Sequence, residues 1–246
     1  MTSKSSTLFH FTKNSNTLEL IMKNGFWPRY SLEDISWLGY TKNDYVAYPM
    51  VCFCDIPISR ISEHVEFYGN YGLGMSKDWA QKNGLNPVNY IVENNDLKDA
   101  FRRINTLATK FENTSLKEEL WSTSRRLLAF TKPTIGNMRV DGNFIKKDFY
   151  QESEWRFIPV HKNVKTFISH SAFEESIKLE DANQLTRYHC MLTIEPKDIR
   201  YIFVKTDNDI ANIINFIQKE LDNYPGVDQK ILMSRVVSLE SLQKDI

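Results

Sequence analysis

The order of signals along the sequence predicts an α+β protein. Strand-like runs stand at both ends of the chain, TLFHFT at Thr7 to Thr12 and KILMSRVV at Lys230 to Val237, and the helical stretches between them fall at irregular intervals. A doubly wound sheet would instead alternate strand and helix regularly. No G-x-G-x-x-G follows the first strand and no P-loop lysine motif occurs, so Rossmann dinucleotide binding and P-loop chemistry are both disfavoured. At 246 residues the chain suits one domain with a full core. The expectation is a single domain over residues 1–246 with a helical insertion at about 96–131.

Each element has a local reason. After Thr7 to Thr12, Asn16 or Thr17 can cap a helix whose Leu18, Ile21 and Met22 share one face, and Gly25 stops it. Phe26 to Tyr48 reads as an irregular aromatic loop because of Pro28 and Gly39, and PMVCFCDIP as a short strand bounded by Pro49 and Pro57. Ser59 is placed to cap a helix that turns Ile61, Val65 and Tyr68 inward before Gly69. YGLGMS is the next strand, with Gly72 and Gly74 open to close approach by backbone or ligand. Ser76 caps SKDWAQKN, Gly84 ends it, and NPVNYIV follows as a strand. Asp96 to Phe130 is amphipathic and helical in two pieces divided near Asn113 to Ser115. A strand over Trp155 to Val160 comes next, then a partly helical stretch over His161 to Gln184. RYHCMLTI, IRYIFVK and KILMSRVV read as strands, with a long helix around Ile210 to Leu221.

Composition narrows the function classes. Lys plus Arg number 31 and Asp plus Glu 31, so no global field favours nucleic acid or an anionic membrane. The start, MTSKSS, is polar with no apolar stretch behind it, and no run approaches a membrane span. Three cysteines form no paired framework, which points to a reducing compartment. A cytoplasmic protein with no membrane partner is expected.

The residues that carry chemistry begin with YQESEWRFIP. On a strand, Glu152, Glu154 and Arg156 share one side because the side-chain period is two. Such a cluster is either a structural ion-pair group at a sheet edge or a pair of acids, with a cation beside them, that holds a hydroxyl-bearing ligand or steadies a developing positive charge. His10 lies with Leu8 and Thr12 on the more polar face of its strand, opposite Phe9 and Phe11. It reads as a satisfied structural histidine or as a catalyst. FYGNYGLGMS reads as a stacking surface for a flat ring or simply as a helix-to-strand turn. Cys52, Cys54, His189 and Cys190 lack the usual C-x-x-C spacing for zinc, so no metal is expected and the cysteines read as small buried hydrophobes.

Taken in order, LFHFT, PMVCFCDIP, YGNYGLGMSKDW and ESEWRFIP resemble the AbiGi abortive phage resistance family, over nearly the whole chain. The same order is distantly similar to the ADP-ribosyltransferase fold. That resemblance implies a split, mainly antiparallel sheet flanked by helices, with NAD as substrate. By position, His10 would bond a ribose hydroxyl with Phe11 and Thr12 beside the nicotinamide amide, and Tyr71 or Tyr68 would stack on nicotinamide. Glu154 would hold the nicotinamide-ribose hydroxyl, Glu152 would complete an E-x-E, and Arg156, with Arg29 and Arg60 as alternatives, would meet the pyrophosphate. Cleavage of the nicotinamide glycosidic bond passes through an oxocarbenium-like state that a buried carboxylate stabilises. The resemblances therefore imply two functions: transfer of ADP-ribose to a protein or nucleic-acid target in phage defence, or a non-catalytic partner that binds and restrains a toxin.

Overall fold

The computed structural model describes residues 5–40, 44–92, 96–112, 114–140 and 143–244. The polar start at Met1 to Lys4 and the expected helix break at Asn113 lie outside them. The protein is mixed α+β with mainly antiparallel sheet, and it divides into two compact units. One comprises Met1–Trp27, Cys52–Leu85 and Met191–Ile246, the other Pro28–Val51 and Asn86–Cys190.

In the first unit the strands run in the order Val236–Ser238, Ile199–Val204, Tyr71–Ser76, Thr7–Thr12, with the end of Tyr45–Cys54 beyond. All neighbours are antiparallel except Val236–Ser238, which lies parallel to Ile199–Val204. Register explains the glycines. Phe9 and Phe11 stand opposite Gly74 and Gly72, and on the other side Tyr201 and Phe203 oppose the same two residues. A Cβ on Gly72 would fall 2.6 Å from the Phe11 ring and from the His10 carbonyl oxygen. The space those glycines leave is filled by the protein's own rings, not held open for a ligand, a cross-strand packing in which an aromatic covers a glycine. Phe9, Phe11 and Phe203 bury against Cys54, Ile61, Val65 and Leu239. The opposite face carries Leu8, Leu73, Met75 and Ile202 at essentially zero exposure. Helices Ser15–Asn24 and Asp207–Glu220 turn Leu18, Ile21, Met22, Ile213 and Ile217 inward.

In the second unit Arg29–Asp34 pairs antiparallel with the first part of Tyr45–Cys54, and Ile168–Ser169 pairs with that same strand at Ala47 and Val46. Glu154–Phe157 pairs with Asn86–Pro87, Asn89–Ile91 lies parallel to Thr131–Pro133, and Ile135–Val140 forms a hairpin with Asn143–Asp148. Helices Asp96–Lys110 and Thr114–Ala129 pack on each other, while Ser176–His189 packs on Arg29–Asp34.

Several local expectations are corrected. The supposed loop Phe26 to Tyr48 contains the strand Arg29–Asp34, and Pro49 lies inside a strand instead of bounding one. Pro49 faces Tyr30, whose N–H goes to Asn183 Oδ1 at 2.9 Å, so this rung makes no demand on the N–H that proline lacks. RYHCMLTI is not a strand: helix Ser176–His189 continues through Arg187 because Thr186, fully buried, donates to the Pro28 carbonyl. KILMSRVV is the end of helix Gly226–Met233 followed by the short strand Val236–Ser238. NPVNYIV splits into Asn86–Pro87 and Asn89–Ile91. The first helix is capped by Asn14, which accepts from the Thr17 N–H. Ser59 lies within a 3-10 turn, Ile58–Arg60, ahead of helix Ile61–Tyr68. Among the described residues no helix is long and apolar enough to cross a membrane.

Candidate functional site

The Glu154 strand is shorter than its sequence implies, Glu154–Phe157, and Glu152 lies before it in the 3-10 turn Tyr150–Glu152. Ser153 joins the two at φ 45°, the left-handed region that non-glycine residues seldom occupy. The turn buries Glu152, while strand alternation buries Glu154 on the same side as Arg156. Glu152 is 6% exposed, Glu154 5% and Arg156 0%.

Their partners account for the burial. Arg156 Nε donates to Glu154 Oε1 at 2.7 Å, its Nη2 to Glu154 Oε2 at 3.2 Å and to Glu33 Oε2 at 2.8 Å, and its Nη1 to the Ala129 carbonyl at 2.6 Å. Lys132 Nζ lies 2.9 Å from Glu154 Oε2, 3.5 Å from Glu152 Oε2 and 3.9 Å from the centre of the Phe149 ring. Lys147 Nζ reaches Glu152 Oε1 at 2.6 Å. Glu33, Glu152 and Glu154 thus meet Lys132, Lys147 and Arg156, and the formal charges cancel. Burial pulls the Lys132 ammonium toward deprotonation, but Glu154 and Glu33 more than offset it and hold its pKa above the ordinary lysine value. For Lys147 burial prevails over Glu152 and lowers the pKa. The Tyr90 hydroxyl accepts from the Glu154 N–H at 2.8 Å, and burial raises that phenol's pKa.

A small cavity beside this network, lined by residues that include Glu33, Asp34, Lys132 and Asn137, has a volume of about 30 Å³. That is water-sized, whereas ligand clefts run to roughly 300 Å³ and more.

The remaining expected site residues belong to the first unit. His10 Nδ1 donates to the Cys52 carbonyl at 2.8 Å, and its ring meets Phe26 and Phe53 edge-on or tilted, with centroids 5.1 and 5.5 Å away. Burial lowers its pKa more than the Cys52 bond raises it, so the imidazole is neutral near pH 7 and its Nε2 is the acceptor. Phe11 is a core residue on the opposite face, and Thr12 is half-buried at the strand's end. Tyr68 packs on His64, with ring centroids 4.4 Å apart, and the Tyr71 hydroxyl lies 3.3 Å from Asp209 Oδ2. Among the described residues Cys52, Cys54 and Cys190 form no disulfide. Among the described residues, no three of His, Cys, Asp and Glu gather as they would around a metal ion.

Sequence reasoning put Glu152, Glu154 and Arg156 on one side of a strand; the structure pairs Glu154 with Arg156 directly, sets Glu152 in the preceding turn and joins it to Glu154 through Lys132, and the sequence reading missed Glu33, Lys132 and Lys147. The available signal was Lys132 inside FTKPT, a lysine in a three-residue strand whose every residue is buried. A buried lysine requires a carboxylate.

Comparison with known proteins places the chain among phage-defence proteins. Residues 24–205 match the family model described as "Putative abortive phage resistance protein AbiGi, antitoxin", and the chain belongs to this AbiGi family. It is 29% identical over 250 aligned positions to the abortive phage resistance protein AbiGi of Lactococcus lactis subsp. cremoris, covering 89% of this chain and 99% of that protein. No solved structure matches.

Proposed function

We propose that this protein is the antitoxin-type member of an abortive phage resistance pair, and that it acts by binding and restraining a toxin protein. The observation that carries this reading is the closed, charge-balanced network around Glu154, in which Arg156 and Lys132 already engage both carboxylate oxygens. Transfer of ADP-ribose from NAD, the other function the sequence order implies, asks Glu154 to trade those partners for a ribose hydroxyl. The trade would take from Arg156 its two bonds to Glu154 and from Lys132 its 2.9 Å partner, leaving two buried cations with only Glu33 and Glu152 to balance them, which is unfavourable where charges are shielded from water. The antitoxin description of the family model points to the same reading.

Two assays test it. Co-expression of the paired toxin with this protein should restore growth that the toxin alone arrests. Incubation of the purified protein with NAD labelled in the adenylate phosphate and a host-cell extract should leave macromolecules unlabelled. Label transferred by the wild type and absent with Glu154→Gln would replace this reading with the ADP-ribosyltransferase one.

A further inference from the structure

In the second unit the hairpin of Ile135–Val140 and Asn143–Asp148 leaves a backbone edge open. Which groups face that edge follows from the hydrogen bonds around it. The Asn137 N–H donates to Asp34 Oδ2 at 2.9 Å, so Asn137 turns its backbone groups away from Asn143–Asp148. Its cross-strand neighbour is Lys146, which therefore turns its own N–H and C=O away from Ile135–Val140. The bond from the Phe149 N–H to the Thr134 carbonyl, 2.8 Å, continues the same alternation beyond the hairpin. Phe144, Lys146 and Asp148 thus aim their N–H and C=O groups outward. Among the described residues, Asn143–Asp148 pairs with no strand but Ile135–Val140. All of the strand except Lys147 is exposed, with Phe144 at 47% and Ile145 at 38%.

We propose that this edge pairs with the same edge of a second copy of the chain, antiparallel about a two-fold axis at Ile145, so that the two hairpins form one four-stranded sheet. A row of outward backbone donors and acceptors is matched by an extended polypeptide, and a two-stranded ribbon gains stability from added strands. Charge then selects the register. Outward residues must meet outward residues, which restricts the axis to a residue position. An axis at Lys146 or at Lys147 would set two ammonium groups directly opposite each other. At Phe144 it would overlap only Asn143 to Ile145. The axis at Ile145 overlaps Asn143 to Lys147 with no like charges opposed: Phe144 and the second copy's Lys146 exchange backbone bonds on both sides of the axis, and Ile145 packs on its own counterpart. The surface this covers includes the exposed Phe144 and Ile145. The inference stands apart from the antitoxin reading, since it needs only this chain.

Light scattering on the full-length protein, across a concentration series, should return twice the mass of one chain. Lys146→Pro removes an N–H that faces the edge and takes no part in the hairpin ladder, so the hairpin itself should persist. Dimerisation should weaken on the order of 30-fold, about a factor of five for each of the two symmetry-related bonds lost. Ile145→Cys places two thiols across the axis at a separation that a disulfide accepts. Mild oxidation should crosslink that variant and not the wild type, whose Cys52, Cys54 and Cys190 serve as the control. A monomer at every concentration, or a dimer indifferent to Lys146→Pro, would overturn the inference. Crosslinking of Lys146→Cys in place of Ile145→Cys would overturn the position of the axis. A wild-type monomer whose binding to the toxin is lost in Lys146→Pro would assign the edge to a toxin strand instead of a second copy.

Discussion

The two units solve the problem of an interior in opposite ways. The first fills its sheet with rings laid over glycine, where Phe9, Phe11, Tyr201 and Phe203 converge on Gly72 and Gly74. The second buries a lattice of three carboxylates and three cations around Glu154. The first depends on non-directional burial, which tolerates small adjustments and loses stability in proportion to space and area. The second is held by paired charges, and removing a central one such as Arg156 leaves Glu154 in a place that water scarcely reaches.

The sharpest way to break that contrast is Arg156→Met. The substitution leaves Glu154 short of two bonds and Glu33 of one, so it should destabilise the second unit by about 3–5 kcal/mol. Hydrogen exchange resolved by segment should show protection lost around Glu154–Phe157 and Thr131–Pro133 while Tyr71–Ser76 keeps its own. Equal loss in both units would mean that they unfold as one. The matching change in the first unit is Gly72→Ala. The new Cβ meets a backbone oxygen as well as a ring, so about 1–3 kcal/mol of overpacking is expected in urea unfolding. Gly74→Ala should cost less, because the atoms it would meet are side-chain ends on Thr7, Tyr201 and Phe9 at 2.9–3.1 Å.

The same contrast explains what could be read from the sequence. Elements stabilised by their own pattern were legible: Thr7–Thr12 and Tyr71–Ser76 alternate, and Lys77–Lys82 begins at a serine that caps it. Elements fixed by distant polar partners were not. Arg29–Asp34 is a strand partly because Asn183, 153 positions later, accepts from Tyr30, and Ser176–His189 stays helical through a buried threonine bonded to Pro28. At the candidate site the acids and Arg156 are neighbours in sequence and were found. Lys132, Lys147 and Glu33 reach them from 5 to 123 positions away, a separation that no local spacing rule detects. Their absence from the sequence reading is also what let Glu154 look free to meet a ribose.

Asn183→Leu sharpens the comparison at intermediate scale. It replaces the acceptor of the Tyr30 N–H with a side chain of similar size, leaving a buried donor unanswered. A loss of about 1–3 kcal/mol is expected in the unfolding free energy, smaller than that of Arg156→Met because a neutral group is stranded and not an ion.

The smallest effect is confined to the first unit and depends on pH. His10 has a folded-state pKa below its ordinary value, first because it is buried, with the Cys52 carbonyl opposing in part. In the unfolded chain it takes up a proton near pH 6.5, while the folded protein still refuses it. The linkage therefore has one sign: no contribution well above pH 7, and stability lost as pH falls through about 6.5, continuing down to the lower folded-state pKa. The slope is at most about 1.4 kcal/mol per pH unit. The chain has four other histidines, so the signal is the difference from His10→Gln, which keeps a donor within reach of the Cys52 carbonyl. The stability gap between wild type and variant should narrow between pH 7.5 and pH 5. A gap that stays constant would mean that the imidazole is as free to accept a proton in the folded sheet as in the open chain, and that the Phe26 and Phe53 rings do not seal it from water.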